Sequence, residues 1–415
     1  LIACSSDDAT GAGTGGFAPT GGAGATASGG VASGGMTANG GMTANGGMTA
    51  NGGTITSSGG STTATGGVTA TGGTTATGGT AGTTATGGTT ATGGTTATGG
   101  MAGTGGSDNT GGQTASLIGW ASVSGDGVPT TTGGDGGKTV VATTATQLLD
   151  YAKSDEALVI TFRGTLKVPN LVMHSNKTLR GLDATATIEG GIRIRGTKDA
   201  AIQNVVVQNL HVNGATTDVD GDAVQIHFAH HVWVDHLDVW DGADGNLDIV
   251  HASNWVTVSF TKFHYTSNAP DPNHKFSNLI GHSDDNASED TGRLKVTFHH
   301  CWWADGAVER MPRVRFGQVH VFNSYYSAKD NNYAVGAALQ SHVLVEGNVF
   351  KDVNDPHFYY DDEPTAGLLA KDNEYDNVTG KKDTGRGTVT APPYPYTPDA
   401  VGTVAATVQS QAGPH

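Results

Sequence analysis

Residues 309–317 read ERMPRVRFG and place Arg310, Arg313 and Arg315 within six positions of a chain that has nine arginines and a formal charge of −16. Guanidinium forks bind carboxylate or phosphate oxygens in pairs, so this knot of charge reads as a receptor for an anion. Arginines near turns more often serve surface ion pairs, but only Glu309 stands close in sequence. A second group of residues suggests the complementary chemistry. VDGDAVQIH (219–227) and ADGNLDIVH (243–251) carry Asp220, Asp222, Asp244 and Asp248. Four carboxylates brought to one point repel unless a cation sits among them, and all-oxygen ligation suits Ca²⁺. The plainer alternative is that Asp and Gly mark turns between strands. His227, His230, His231 and His236 are dense enough to raise zinc, but no cysteine or carboxylate completes a recognised spacing.

The elements that must position these groups are short strands. Six runs align, starting at Val205, Val232, Val256, Val296, Val319 and Val343, each apolar at its first and third positions and apolar or aromatic at its eighth. Such alternation describes strands with one buried face. The starts lie 27, 24, 40, 23 and 24 residues apart, the length of one coil of a parallel solenoid. An antiparallel sandwich would place strands every 8 to 12 residues, roughly, with hairpin signals between them. Residues 144–154, TATQLLDYAKS, are the one stretch with a helical period. Earlier coils are expected through 158–166 and 176–190. In a solenoid, equal offsets stack about 4.8 Å apart. Counting back from the strand starts puts Arg310 in the column of Asp222 and Asp248, two coils beyond Asp248. The 40-residue interval is one coil with an insertion, within 265–290, that carries Lys275.

Composition divides the chain. Residues 1–137 contain no Lys or Arg, and most of 5–115 is Gly, Thr, Ala and Ser in repeats such as GGMTAN and TATGG. So little apolar side chain cannot offset the entropy of ordering a backbone, and this tract reads as a disordered spacer. LIAC followed by SSDD, at 1–4 and beyond, resembles the end of a bacterial lipoprotein signal with Cys4 as the lipid site. Cys4 and Cys301 are the only cysteines and imply no disulfide framework. Net acidity argues against nucleic acid and against an anionic membrane surface as partners, leaving a lipid on Cys4 as the only membrane link. Residues 116–415 form the expected folded domain.

The stretch from Asp220 to Ser259, the segment HKFSNLIGHSDD (274–285) and TFHHCWWADGAVERMPRVRFGQVHVFNSYYS (297–327) resemble the core of pectate lyases of polysaccharide lyase family 1, a likeness covering about 118–415. The resemblance implies an all-β, right-handed parallel β-helix. It implies a monomeric enzyme that cleaves α-1,4-linked polygalacturonate by Ca²⁺-dependent β-elimination to 4,5-unsaturated oligogalacturonates, and the LIAC motif with the spacer adds the expectation that it is secreted or at the cell surface. Carried over by position, Asp222, Asp244 and Asp248 match metal ligands, with Asp220 adjacent. Lys275 matches a substrate contact, Arg310 the base, and Arg315 the arginine that grips a substrate carboxylate. Arg313 matches the motif as a supporting substrate-side residue. An arginine acts as a base only where burial and neighbouring cations loosen its proton, so an alkaline optimum is expected. A Ca²⁺-independent pectin lyase and a non-catalytic polysaccharide-binding solenoid are the alternatives.

Overall fold

The computed structural model describes residues 117–216 and 221–415 in full and, between 25 and 98, backbone strands alone. Cys4 and Asp220 lie outside the described residues. The chain divides into two units, Leu1–Thr110 and Gly111–His415. In the first, short strands pair in parallel, Met48 with Val68 and Thr62 with Thr83 among them. Their Thr, Ala and Gly composition offers little to bury. The spacer reading of this unit remains a proposal.

The second unit is a parallel β-helix built from three sheets. The first sheet stacks Lys138–Val141, Leu158–Phe162, Lys177–Gly181, the first parts of Ile202–Asn213 and Ala229–Trp240, then Asn254–Ser259, Lys295–His299, Gln318–Phe322, His342–Glu346 and Gly367–Lys371. The six valines that open the sequence runs pair with one another in order, Val205 to Val232 to Val256 to Val296 to Val319 to Val343. All are buried, so the periodicity of apolar residues is the register of the coils.

The second sheet takes the far ends of the same runs. Val212, Val239, Phe263, Trp303, Tyr326 and Phe350 again pair in succession. Their rings form an interior ladder, with centroids 5.8 Å apart from Phe263 to Trp303, 4.5 Å from Trp303 to Tyr326 and 4.3 Å from Tyr326 to Phe350. Parallel in-register stacking makes the ladder possible, because like positions fall directly above one another. The neighbouring aromatics point outward, and the helix Val401–Gln411 packs Val404 and Val408 over Tyr325 and Val349.

The third sheet is made of shorter strands, Val224–His227, Leu247–Val250, Leu279–Ile280, Arg313–Val314, Val335–Ala337 and His357–Tyr359. Its outer face carries the charged residues. The expected helix is Ala145–Lys153, whose first turn is capped by the Thr144 side chain accepting from Gln147 N, and it buries Leu148 and Ala152. The insertion divides between two corners, residues 265–278 before the strand Leu279–Ile280 and residues 281–294 after it. Among the described residues no helix is long and apolar enough to cross a membrane.

The ladder yields a paired test. Tyr326 is fully buried and its hydroxyl has no hydrogen-bond partner. Tyr326→Ala should cost about 3–5 kcal/mol of stability through lost packing and a cavity. Tyr326→Phe should cost nothing, because it removes only an unsatisfied hydroxyl. Urea unfolding midpoints of the two variants check this.

Candidate functional site

The corner that leads into the third sheet brings the acidic residues together. Asp222 lies two residues before Val224–His227, and Asp248 lies within Leu247–Val250, directly across from Gln225. Both carboxyls are buried, 3% and 6% exposed, where unpaired charge is costly. Asp222 Oδ2 accepts from Gln225 Nε2 at 2.9 Å, and Asp248 Oδ1 accepts from Leu279 N at 2.9 Å. Asp222 Oδ1 is buried with no hydrogen-bond partner. Gly245 sits between the two: a Cβ there would lie 2.8 Å from Asp222 Oδ1 and 3.0 Å from Asp248 Oδ1. Only glycine lets both oxygens approach the backbone at that point.

Burial raises both carboxyls. Asp248 is pushed up to about 7, while the Leu279 N–H and the Arg310 charge partly offset the effect. Asp222 is raised by burial and then by the charge of Asp248 beside it. Tyr265, buried against the same cluster, has its phenol raised by burial and by the surrounding carboxylates. Two hard anionic donors crowded out of water, one with an oxygen lacking any partner, fit a divalent cation of the calcium type. Asp244 stands apart from them. It is 57% exposed and its Oδ1 is 2.9 Å from His274 Nε2. Among the described residues, no three His, Cys, Asp or Glu side chains already surround one point.

The cationic residues line the following coils. Asn278 N donates to Arg310 O, and Arg313 N donates to Asn278 O. Pro312 has no N–H to give, so the pairing skips it and Arg313 moves into register with Leu279. Arg313, rather than Arg310, stands on the Asp248 row, and Arg310 sits beside Ser277 and Asn278 on the side toward Asp222. Counting back from the strand starts missed this because Asp248 lies eight residues before Val256, whereas Arg313 lies only six before Val319. Arg310 adopts φ 60°, a left-handed conformation that costs energy for a side chain of this size. Its guanidinium carbon lies 4.3 Å from the centroid of Phe276, and its Nε is buried without a partner. Lys275 precedes Phe276 and makes no side-chain hydrogen bond or ion pair among the described residues.

Arg315 behaves differently. Its Nε donates to Asp284 Oδ1 and its Nη1 reaches the carbonyls of Gly281 and His282, so it anchors the second half of the insertion. Arg313 stacks on Tyr360, its guanidinium carbon 3.6 Å from the ring centroid. Glu309, the one acid in the arginine segment, is engaged by Asn332 Nδ2 at 2.7 Å.

Several contributors escaped sequence reasoning. His274 faces Asp244, Phe276 supports Arg310, and Gln225 holds Asp222. Arg193 Nη1 donates to Asp222 O at 2.8 Å. Gln225 and Arg193 lie at outward positions of strands next to Asp222, a signal readable once the register is known. Tyr360 has no such signal, since it reaches Arg313 from the turn after His357–Tyr359, two coils further on.

A family model described as pectate lyase matches residues 41–414. A probable pectate lyase B from Aspergillus flavus is 33% identical over 307 residues, spanning 71% of this chain and 88% of that protein. Pectate lyase A from Aspergillus niger is 33% identical over 308 residues, spanning 72% and 87%. Among solved structures, a pectate lyase from Bacillus sp. N165 in complex with trigalacturonate superposes with a TM-score of 0.59 at 23% identity, covering 72% of this chain and 98% of that one. Jun a 1, the major cedar pollen allergen, superposes with a TM-score of 0.58 at 21% identity, covering 72% and 93%. The extent of both matches, over the coils that carry the aspartates and the arginines, places this chain in the pectate lyase family as an enzyme of that class.

Proposed function

We propose that the enzyme cleaves α-1,4-linked polygalacturonate by β-elimination with Ca²⁺, leaving a 4,5-unsaturated sugar at the new non-reducing end. The observation that carries this reading is the neighbourhood of Asp222 and Asp248 with Arg310: Leu279 N donates to Asp248 Oδ1, and the adjoining Asn278 N donates to Arg310 O. An acidic protein can hold an acidic polymer only through a bridging cation or local positive charge, and this groove offers the residues for both.

Asp222 and Asp248 would hold the ion, with Asp244 and Asp220 as the nearby acids. Bound there, Ca²⁺ would draw charge onto a uronate carboxylate and so acidify the adjacent C5–H. Arg310 is the group we assign to take that proton, and the C5 electron pair then expels the oxygen at C4. The ring of Phe276 beneath the guanidinium and the strained backbone at residue 310 favour a single side-chain placement, which proton transfer needs. Lys275, adjoining and unpaired, supplies positive charge for a substrate carboxylate. Arg315 belongs to the substrate side through the segment it anchors.

A non-catalytic polysaccharide-binding solenoid would need exposed aromatic rings on which sugars could stack. Trp303 and Tyr326 face the interior, and Tyr325 lies under the helix Val401–Gln411, so these aromatics form no open sugar-binding platform. Export, a lipid on Cys4 and a spacer over 5–115 complete the proposal and rest on the LIACSS motif and the repeat composition alone.

Two measurements test it. Absorbance of unsaturated product should rise with polygalacturonate and Ca²⁺, vanish with chelator and return on adding Ca²⁺. Chelator-resistant product from methylated substrate would mark a pectin lyase, and no product under any condition would mark a binding solenoid. Arg310→Lys should keep the fold, seen as an unchanged circular dichroism spectrum, yet lose about 10²–10⁴-fold in kcat. Near-normal turnover in that variant would remove Arg310 from the role of base.

A further inference from the structure

We propose that Arg313, seated on the ring of Tyr360, is the guanidinium that receives a free uronate carboxylate in the groove, and that Tyr360 is its positioning residue. The inference rests on the polygalacturonate reading of the same site and assigns the grip to Arg313 in preference to Arg315.

Arg315 is already satisfied by Asp284 and two backbone carbonyls. The Arg313 side chain makes no hydrogen bond or ion pair among the described residues, and its Nε is buried without a partner. A half-buried fork of N–H donors without an acceptor is costly until an anion arrives. Stacking on Tyr360 is the contact that holds the group meanwhile, and it fixes the plane of the fork.

Tyr360 is itself held in place. Tyr333 meets it edge-on, with centroids 5.7 Å apart. Arg386 Nη1 donates to the carbonyls of Asp362 and Glu363 at 3.2 Å each, and its guanidinium lies 3.9 Å from the centroid of Tyr359. The segment that carries Tyr360 is thus tied from below. Register places Arg313 between Leu279 and Gly336. Leu279 brings no competing charge, and Gly336 has no side chain to fill the space beside the fork. A Cβ at Gly336 would come within 3.2 Å of the Tyr333 ring and 3.5 Å of the Tyr360 ring. Two parallel N–H groups match two carboxylate oxygens, and a methyl ester offers no equivalent charge. The arrangement therefore selects a de-esterified sugar at this position.

Calorimetric titration of the full chain with trigalacturonate in Ca²⁺, and with its methyl ester, reads the proposal directly. Arg313→Gln should weaken trigalacturonate binding about tenfold or more and change ester binding little. In turnover the loss should appear in KM more than in kcat. Tyr360→Leu should lose much of the same affinity, and Tyr360→Phe, which keeps the ring face, should restore most of it. Should Arg313→Gln lower the melting midpoint, Arg313→Lys, which keeps charge but loses the fork, is read in its place. Wild-type affinity in Arg313→Gln and Tyr360→Leu, with the loss confined to Arg315→Gln, would overturn the assignment, as would absence of trigalacturonate binding by the wild type. Binding without cleavage of polygalacturonate would instead refute the catalytic reading, and the variant affinities would still decide the role of Arg313.

Discussion

In-register parallel pairing between coils is the constraint on which everything else in the folded unit depends. Each coil gives its backbone groups to the coils on either side, so a residue's position along the solenoid and around its section is set by its offset in the repeat. Val205 through Val343 form one row, and Phe263 through Phe350 another. A slip of one residue would send each of these rows from core to solvent. The third sheet inherits this rigidity with strands of only two to four residues, as Leu279–Ile280 and Arg313–Val314 illustrate. That economy leaves most of each coil on this side free to turn, project and carry charge.

The charged groove exploits that freedom. Asp222 and Asp248 are buried side by side, an arrangement that opposes ionisation and is relieved by a bound cation. Further along the same face stand Lys275, Arg310 and Arg313, none with an ion pair among the described residues. The two clusters are unsatisfied in opposite senses. A polyanion together with a divalent cation satisfies both, while either alone leaves one of them wanting. Aromatic rings fill the place that acidic partners occupy elsewhere in proteins: Phe276 lies under Arg310 and Tyr360 under Arg313. A ring orients a guanidinium without neutralising it, so its charge stays available to a ligand.

The insertion between the third and fourth aligned runs acts on both sides of this face. Its first part sets His274 against Asp244 and Phe276 against Arg310. Its second part is fastened by Arg315 through Asp284 and the carbonyls of Gly281 and His282. The segment thus couples the acidic and basic ends of the groove, and His274 and a cation would compete for the same Asp244 oxygen.

Much of this was legible in the amino-acid sequence because a solenoid converts spacing into geometry. The valine runs, the interior aromatics, the helix at Ala145–Lys153 and the coil corner holding Asp222 and Asp248 all follow from apolar period and offset. What spacing could not decide were contacts made by side chains across corners. The corner from Arg313 to Val319 is two residues shorter than the one from Asp248 to Val256, so Arg313 and not Arg310 joins the row of Asp248. Asp244 turns to His274, and Arg315 turns to Asp284. These choices depend on where a flexible side chain finds its best partner, and the partner comes from a different loop. The sequence by itself determined the coil, its register and which residue types gather on one face, because burial of apolar side chains enforces the repeat. Only the tertiary structure decided which of the gathered charges are spent on one another and which remain for a ligand.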